Sequence, residues 1–232
     1  MKTIGLVGGM SWHSTATYYR LINEEVAARR GGHSSARISL QSLDFAEVRA
    51  CQERGDWTAS AELLAGATRR CVAGGAELVG LCTNLMHKNF PALESAAAQA
   101  GARAVHIADA VAAVAARNGS TALGLLGTRW VMEETFYADR LATHGISVLV
   151  PDADDRGLVD RVIFDELTQG IVRDDSRGAY VSVMDDLRAR GAEAVVLACT
   201  EIDLLISATD SPLPLIDSTD AHASLLVDLA LA

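Results

Sequence analysis

Two short segments pair a thiol with a hydroxyl at the close of an apolar run. Cys82-Thr83-Asn84 follows the run at 78–81, and Cys199-Thr200-Glu201 follows the run at 194–198. A thiol is a competent proton donor or acceptor once its pKa is brought near neutrality. Two of them can serve opposite sides of one carbon, which is what inversion of a stereocentre demands. The surroundings repeat as well: Gly74-Gly75-Ala76-Glu77 leads to the first cysteine and Arg190-Gly191-Ala192-Glu193 to the second. Further upstream, Gly5-Leu6-Val7-Gly8-Gly9-Met10 is echoed by Gly124-Leu125-Leu126-Gly127-Thr128. Both echoes fall at nearly the same offset, so the chain reads as two diverged copies of one unit.

The elements that must hold these segments can be read from periodicity. Short apolar runs at 3–7, 37–42, 78–81 and 104–107 predict buried strands, and 121–126, 147–150, 194–198 and 214–216 repeat the series. Amphipathic stretches at 14–29, 57–73, 89–100, 109–118, 133–144, 155–169, 176–190 and 221–231 predict helices. Continuous apolar strands alternating with helices imply parallel sheets covered on both faces. The expected fold class is therefore α/β: two pseudo-symmetric lobes, each a four-stranded parallel sheet flanked by helices, at 1–108 and 109–216. Sheets of this class bind ligands beyond the C-terminal ends of their strands. Both Cys-Thr pairs, Gly8-Gly9-Met10 and Gly127-Thr128 sit at such ends, and the active site is expected in the cleft between the lobes.

Half of the 232 residues are apolar and 22% are charged, a globular composition, and the formal net charge of −10 disfavours nucleic acid and anionic membranes as partners. No apolar run has membrane-spanning length and no signal-peptide pattern opens the chain, so a cytoplasmic location is expected. Four cysteines without CxxC spacing suggest free thiols rather than disulfides or a zinc site; no metal is expected.

Each motif has a plainer account beside the chemical one. The glycines at 5, 8 and 9 do not form G-x-G-x-x-G, and Asp44 is weak support for a ribose contact; a tight turn offering amide N–H groups to a small anion fits better. Cys51 and Cys71 read as small core hydrophobes. For Cys82 and Cys199, Thr83-Asn84 and Thr200-Glu201 can cap the next turn, and a thiol at that positive end is expected to have its pKa lowered. Thr83, Asn84, Thr128 and Thr200 are uncharged donors able to surround a carboxylate beside a developing carbanion; singly, each also reads as a cap or turn residue. His87 is either a polar residue near a helix start or part of the site. Asp217 and His222 follow the last strand, where Ser218, Thr219 and Asp220 offer local capping. Ser11 and Ser14 lie near His13 but lack a nucleophile elbow.

Four motifs in order resemble the aspartate/glutamate racemase family: Ile4-Gly-Leu-Val-Gly-Gly-Met-Ser-Trp12, Cys82-Thr-Asn-Leu-Met-His-Lys88, Leu125-Leu-Gly-Thr128 with Met132-Glu-Glu-Thr-Phe-Tyr137, and Ala198-Cys-Thr-Glu-Ile202. The likeness spans Met1 to the 217–222 segment and is greatest to the aspartate racemase and broad-specificity branch. The more distant glutamate racemases read Cys-Thr-His where this chain has Cys-Thr-Glu201. The resemblance implies a two-lobe enzyme, commonly a homodimer, that racemises amino acids without pyridoxal phosphate or another cofactor. By the same resemblance Cys82 and Cys199 are the acid/base pair. Met10, Thr83, Asn84, Thr128, Thr200 and Glu201 hold the amino acid, and residues 217–232 pack back on the first lobe.

The side-chain pocket departs from the strict aspartate racemases, which carry an arginine in the loop after the second strand. Here that stretch is 43–52, where Arg49 either reaches the ligand or is a solvated helix residue. Aspartate is the expected substrate, with glutamate or a wider set of amino acids open. A hydantoin racemase, isomerase or decarboxylase acting on a related dicarboxylate, and a non-catalytic amino-acid binder, remain as alternatives. The presence of two thiols favours racemisation, because protonation from one side needs only one.

Overall fold

The computed structural model describes residues Met1–Ala232 and divides into two compact units. Unit 1 comprises Met1–Ile107 with His222–Ala232, and unit 2 comprises Ala108–Ala221.

In unit 1 the order is β1 (Ile4–Gly8), α1 (Trp12–Arg30), β2 (Ile38–Ser42), α2 (Phe45–Arg54), α3 (Trp57–Ala73), β3 (Leu78–Leu81), α4 (Phe90–Gln99) and β4 (Arg103–Val105). The strands form one parallel sheet in the order β2-β1-β3-β4. Because side chains alternate across a strand, the sheet builds two apolar layers. Ile4, Leu6 and Leu78 pack with Tyr18, Ile22 and Val26 of α1 and with Ala223, Leu226 and Val227 from the C-terminal segment. Val7, Val79 and Leu81 pack on Leu64 and Ala67 of α3 and Leu93 of α4. Cys82, one residue past β3, joins the first of these layers.

Unit 2 repeats the plan. It holds α5 (Ile107–Asn118, whose first residue belongs to unit 1), β5 (Ala122–Gly127), α6 (Arg129–Glu133), α7 (Phe136–Ala142), β6 (Ser147–Leu149), α8 (Ala153–Asp165), α9 (Asp174–Ala189), β7 (Ala194–Ala198) and β8 (Leu215–Asp217). The parallel order β6-β5-β7-β8 matches that of unit 1 strand for strand. Val195 and Leu197 pack on Val159, Val162 and Ile163 of α8 and on Tyr180, Val183 and Leu187 of α9. The last helix, α10 (Ser218–Leu231), starts directly after β8. The two-sheet α/β architecture expected from the sequence is the one observed.

The differences are local and have visible causes. α2 is not among the expected helices, because its inward stripe is short: Val48, Cys51 and Gln52 are buried while Phe45, Ala46 and Glu47 are exposed. Asp44 caps its start through Ala46 N–H, and Gly55, left-handed at φ 66°, ends it. The single helix expected at 133–144 is broken by Glu134, which is extended. The helix expected at 155–169 stops at Asp165, and residues Leu167–Gln169 tighten into a 3-10 turn. No helix is long and apolar enough to cross a membrane.

Candidate functional site

The end of β1 is built by glycine. Gly9 sits at φ 92°, and a Cβ there would lie 2.1 Å from the Leu43 carbonyl oxygen, so no other residue fits. Its N–H donates to Thr15 Oγ1 at 2.8 Å, and Gly8 O accepts from Leu43 N–H at 2.9 Å. The Gly9 amide is therefore committed to the fold, and the anion-cradling turn expected from the glycines is not formed by it. Met10 comes next, buried in the α3/α4 layer.

At the end of β3, Cys82 is fully buried. Its N–H donates to Val7 O at 2.9 Å, and its carbonyl accepts from Ser14 Oγ at 3.0 Å. Thr83 N–H reaches back to Leu81 O at 2.9 Å, and Thr83 O accepts from His87 Nδ1 at 2.7 Å. Asn84 is buried, and its carbonyl accepts from His87 N–H. The chain then tightens into a 3-10 turn, Leu85–Asn89, with no side-chain cap from Asn84. Arg49 lies on α2 and pairs with Glu53 at 3.2 Å, an i,i+4 ion pair with Glu53 largely exposed.

Behind this turn lie three buried histidines. The His87 ring is 4.5 Å from that of His106 and 5.9 Å from that of His222, centroid to centroid. His222 Nε2 donates to Val105 O at 2.9 Å, and Nδ1 shares a hydrogen bond with Tyr18 Oη at 2.9 Å. Burial, with His106 and His222 as further causes, holds His87 well below the ordinary imidazole range, so it is neutral.

In unit 2, Thr128 closes β5 and begins α6. Its carbonyl accepts from Val131 and Met132 N–H, but its side chain makes no capping bond, and the buried Oγ1 has no protein partner. At the end of β7 the half-buried Cys199 donates its thiol to Glu201 Oε2 at 3.1 Å. Thr200 Oγ1 donates to the same oxygen at 2.8 Å. One carboxylate oxygen thus collects both the thiol and the hydroxyl of the Cys-Thr pair.

The expected lowering of the thiol pKa values is corrected by this geometry. Burial pushes Cys82 far above the ordinary thiol range, with Cys71 as a secondary cause. Burial also raises Cys199, and the Glu201 carboxylate raises it further. The positive helix end that would oppose these effects is absent, because each cysteine precedes a short 3-10 turn rather than an α-helix. Cys71 is pushed up to about 11 by burial, and Cys51 is buried; both are free core thiols.

The two cysteines are not quite equivalent. Gly5 pairs with Val79 as Gly124 pairs with Val195, so the register matches Cys82 with Ala198 and leaves Cys199 one residue later. The structure thus gathers Met10, Cys82, Thr83 and Asn84 at one sheet end of unit 1. Thr128, Cys199, Thr200 and Glu201 lie at the matching end of unit 2. Arg49 stands on a helix surface. Ser14, which holds the Cys82 carbonyl, carries no motif that reveals this, because its bond joins segments brought together only by folding; His87, open in the sequence between a helix start and a site role, bonds four residues back to Thr83 O.

A family model described as Asp/Glu/hydantoin racemase matches residues 7–226. Among solved structures, a Yersinia pestis protein assigned to the Asp/Glu racemases is 46% identical, with TM-score 0.95 and 100% of both chains covered. An aspartate racemase homologue from Pyrococcus horikoshii OT3 is 29% identical, with TM-score 0.86, again over 100% of both chains. The aspartate racemase of Picrophilus torridus shares the fold at TM-score 0.74 and 21% identity, covering 99% of this chain and 94% of its own.

Proposed function

The chain belongs to the Asp/Glu/hydantoin racemase family and is an enzyme of that isomerase class; from this premise we propose that it racemises aspartate by a two-base mechanism using Cys82 and Cys199, without a cofactor. The observation that carries the reading is the occurrence of a Cys-Thr pair just past β3 and again just past β7, the corresponding strands of two sheets with the same order.

The chemistry can be built from the groups present. Removing an α-proton leaves charge that the substrate carboxylate must absorb, and hydrogen-bond donors at that carboxylate lower the barrier. The Thr128 hydroxyl, with no partner in the protein, is suited to that task, with Met10, Thr83, Asn84 and Thr200 shaping the rest of the head-group site. Cys199 begins as a thiol bonded to Glu201. Passing that proton to the carboxylate leaves a thiolate beside a neutral acid, which removes the like-charge repulsion that raises its pKa. The thiolate takes the α-proton from one face while the Cys82 thiol delivers its own proton to the other. The enzyme ends with Cys199 protonated and Cys82 as thiolate, the state that accepts the opposite enantiomer. The reading requires the two thiols to flank one α-carbon. A homodimer and a cytoplasmic location belong to the same reading.

The test is α-hydrogen exchange in D₂O, followed by proton NMR together with chiral analysis of aspartate, glutamate and other amino acids. Wild type should lose the α-proton and gain the other enantiomer. Cys82→Ala and Cys199→Ala should abolish inversion while each retains exchange on one enantiomer only, opposite in the two variants. Full racemisation by either single variant would refute the two-base scheme. Glutamate turning over faster than aspartate would move the substrate assignment alone.

A further inference from the structure

We propose that His87 and Ser14 are positioning residues that fix the Cys82-Thr83-Asn84 turn, with His87 acting as a rigid strut between that turn and the start of α5. The inference rests on the reading of Cys82 as an acid/base group. It adds two residues that touch no substrate and act through the backbone.

A peptide unit is planar, so holding its carbonyl oxygen orients the whole plane. The Cys82–Thr83 plane is held at its oxygen by Ser14 Oγ–H at 3.0 Å, and the Thr83–Asn84 plane is held by His87 Nδ1–H at 2.7 Å. Thr83 is thus fixed on both sides, and the direction of the Cys82 side chain is fixed with it. The His87 bond reaches back four residues within the turn, whereas the Ser14 bond is long-range. Ser14 lies within α1 and reaches a carbonyl 68 residues away in sequence instead of one in its own helix.

The tautomer of His87 is dictated by its partners. A carbonyl only accepts, so Nδ1 carries the proton; Ile107 N–H donates to Nε2 at 3.2 Å, so Nε2 does not. Both ring nitrogens are occupied by main chain, one at the β3 turn and the other at the first residue of α5. The ring is 2% exposed and stacks on Phe90 at 5.5 Å with 12° between planes, leaving it little freedom to rotate. A cationic ring would set two N–H groups against each other at Nε2, so the strut works only as a neutral imidazole.

Two substitutions separate positioning from bulk stability. The amide nitrogen of asparagine overlies Nδ1 of histidine, whereas the terminal amide of glutamine overlies Nε2. His87→Asn can keep the bond to Thr83 O but leaves a gap against Phe90 and His106. His87→Gln keeps more volume and the bond from Ile107 but loses Thr83. We expect His87→Gln to lose kcat by about 100-fold with KM nearly unchanged, the scale associated with misplacing a reacting group. His87→Asn should lose less than about tenfold, although it is the less stable protein in urea. Ser14→Ala should resemble His87→Gln in lowering kcat.

Activity that tracks stability, with His87→Asn worse in both, overturns the proposal, as does a change confined to KM. The ring is also read without turnover, from ¹⁵N shifts of His87 in the wild-type protein. A neutral Nδ1–H ring throughout the range from mildly acidic to mildly basic pH is expected, and an Nε2–H or cationic ring would refute the strut even if racemisation is confirmed. Absence of racemisation in wild type with the Nδ1–H signature present would instead refute the role given to Cys82.

Discussion

Replacing Thr128 by valine should move stability and activity in opposite directions. Valine keeps the β-branched shape and exchanges only Oγ1 for a methyl. Thr128 opens α6, where a threonine side chain would ordinarily cap the helix, but no such bond is made, and the helix start is held through the backbone carbonyl, which valine retains. The hydroxyl is buried without a partner in the protein. A buried polar group left in that state costs about 1–3 kcal/mol. Thr128→Val should therefore raise the unfolding free energy by about 1 kcal/mol or more. For a chain of this size that corresponds to roughly 2–4 °C in Tm per kcal/mol. If the same hydroxyl serves a substrate carboxylate, the variant loses a hydrogen bond to a charged group, about 1.5–3 kcal/mol. That converts to a fall of roughly 10- to 100-fold in kcat/KM at about 1.4 kcal/mol per decade. Urea unfolding and α-hydrogen exchange on one protein preparation supply both numbers. A variant that is less stable and fully active would show that the hydroxyl bonds within the fold and has no part in binding substrate.

Other outcomes concern the carboxylates of unit 2. Glu201→Gln removes the charge that adds to burial in raising the Cys199 thiol. The pH midpoint for alkylation of Cys199, resolved by mass spectrometry, should move down, and an unmoved or higher midpoint would exclude the carboxylate as a cause. Asp217 is pushed up to about 6, by burial first, with Asp220 and Asp203 as further raising causes against the helix-start amides that it caps. Between its unfolded value near 4 and its folded value the native state binds the extra proton, so its contribution to stability falls as pH rises through that window. Asp217→Asn keeps a capping side chain and should remove this slope between about pH 4 and pH 6; a slope equal to that of wild type would assign the pH dependence to other groups.

The sequence was most legible where periodicity and covalent geometry act alone. Buried parallel strands such as 78–81 and 194–198 have apolar residues on both faces, so their cores announce themselves as unbroken runs. The cysteines were visible because each terminates such a run. What escaped was set by context. α2 carries a narrow inward stripe, and its clearest signals are its ends, Asp44 and Gly55. The thiol pKa values rise where a fall is expected, because no α-helix begins directly after either cysteine. The chain instead forms 3-10 turns there, and desolvation dominates. The bond from Ser14 to Cys82 O and that from Ile107 N–H to His87 join groups far apart in sequence, which propensity and periodicity treat separately. The one-residue offset between Cys82 and Cys199 is already written in the repeat, where Glu77 and Glu193 lie 116 residues apart and the cysteines 117, and strand pairing places it at the strand ends.

The membership of His222–Ala232 in unit 1 has a consequence for how the molecule comes into being. Unit 2 is one uninterrupted stretch of chain, whereas unit 1 is discontinuous. Gly80 is bare so that Leu226 can approach: a Cβ there would meet Leu226 Cδ1 at 2.7 Å. Lys2 N–H is satisfied by Ala230 O at 2.9 Å, and Tyr18 by His222. During synthesis from the N-terminus, one face of the first sheet must therefore wait, with Ile4, Leu6 and Leu78 incompletely covered, until the last helix leaves the ribosome. By then every residue of unit 2 has already been made. The part of the chain that is translated first thus completes its core only with residues that follow the whole of unit 2.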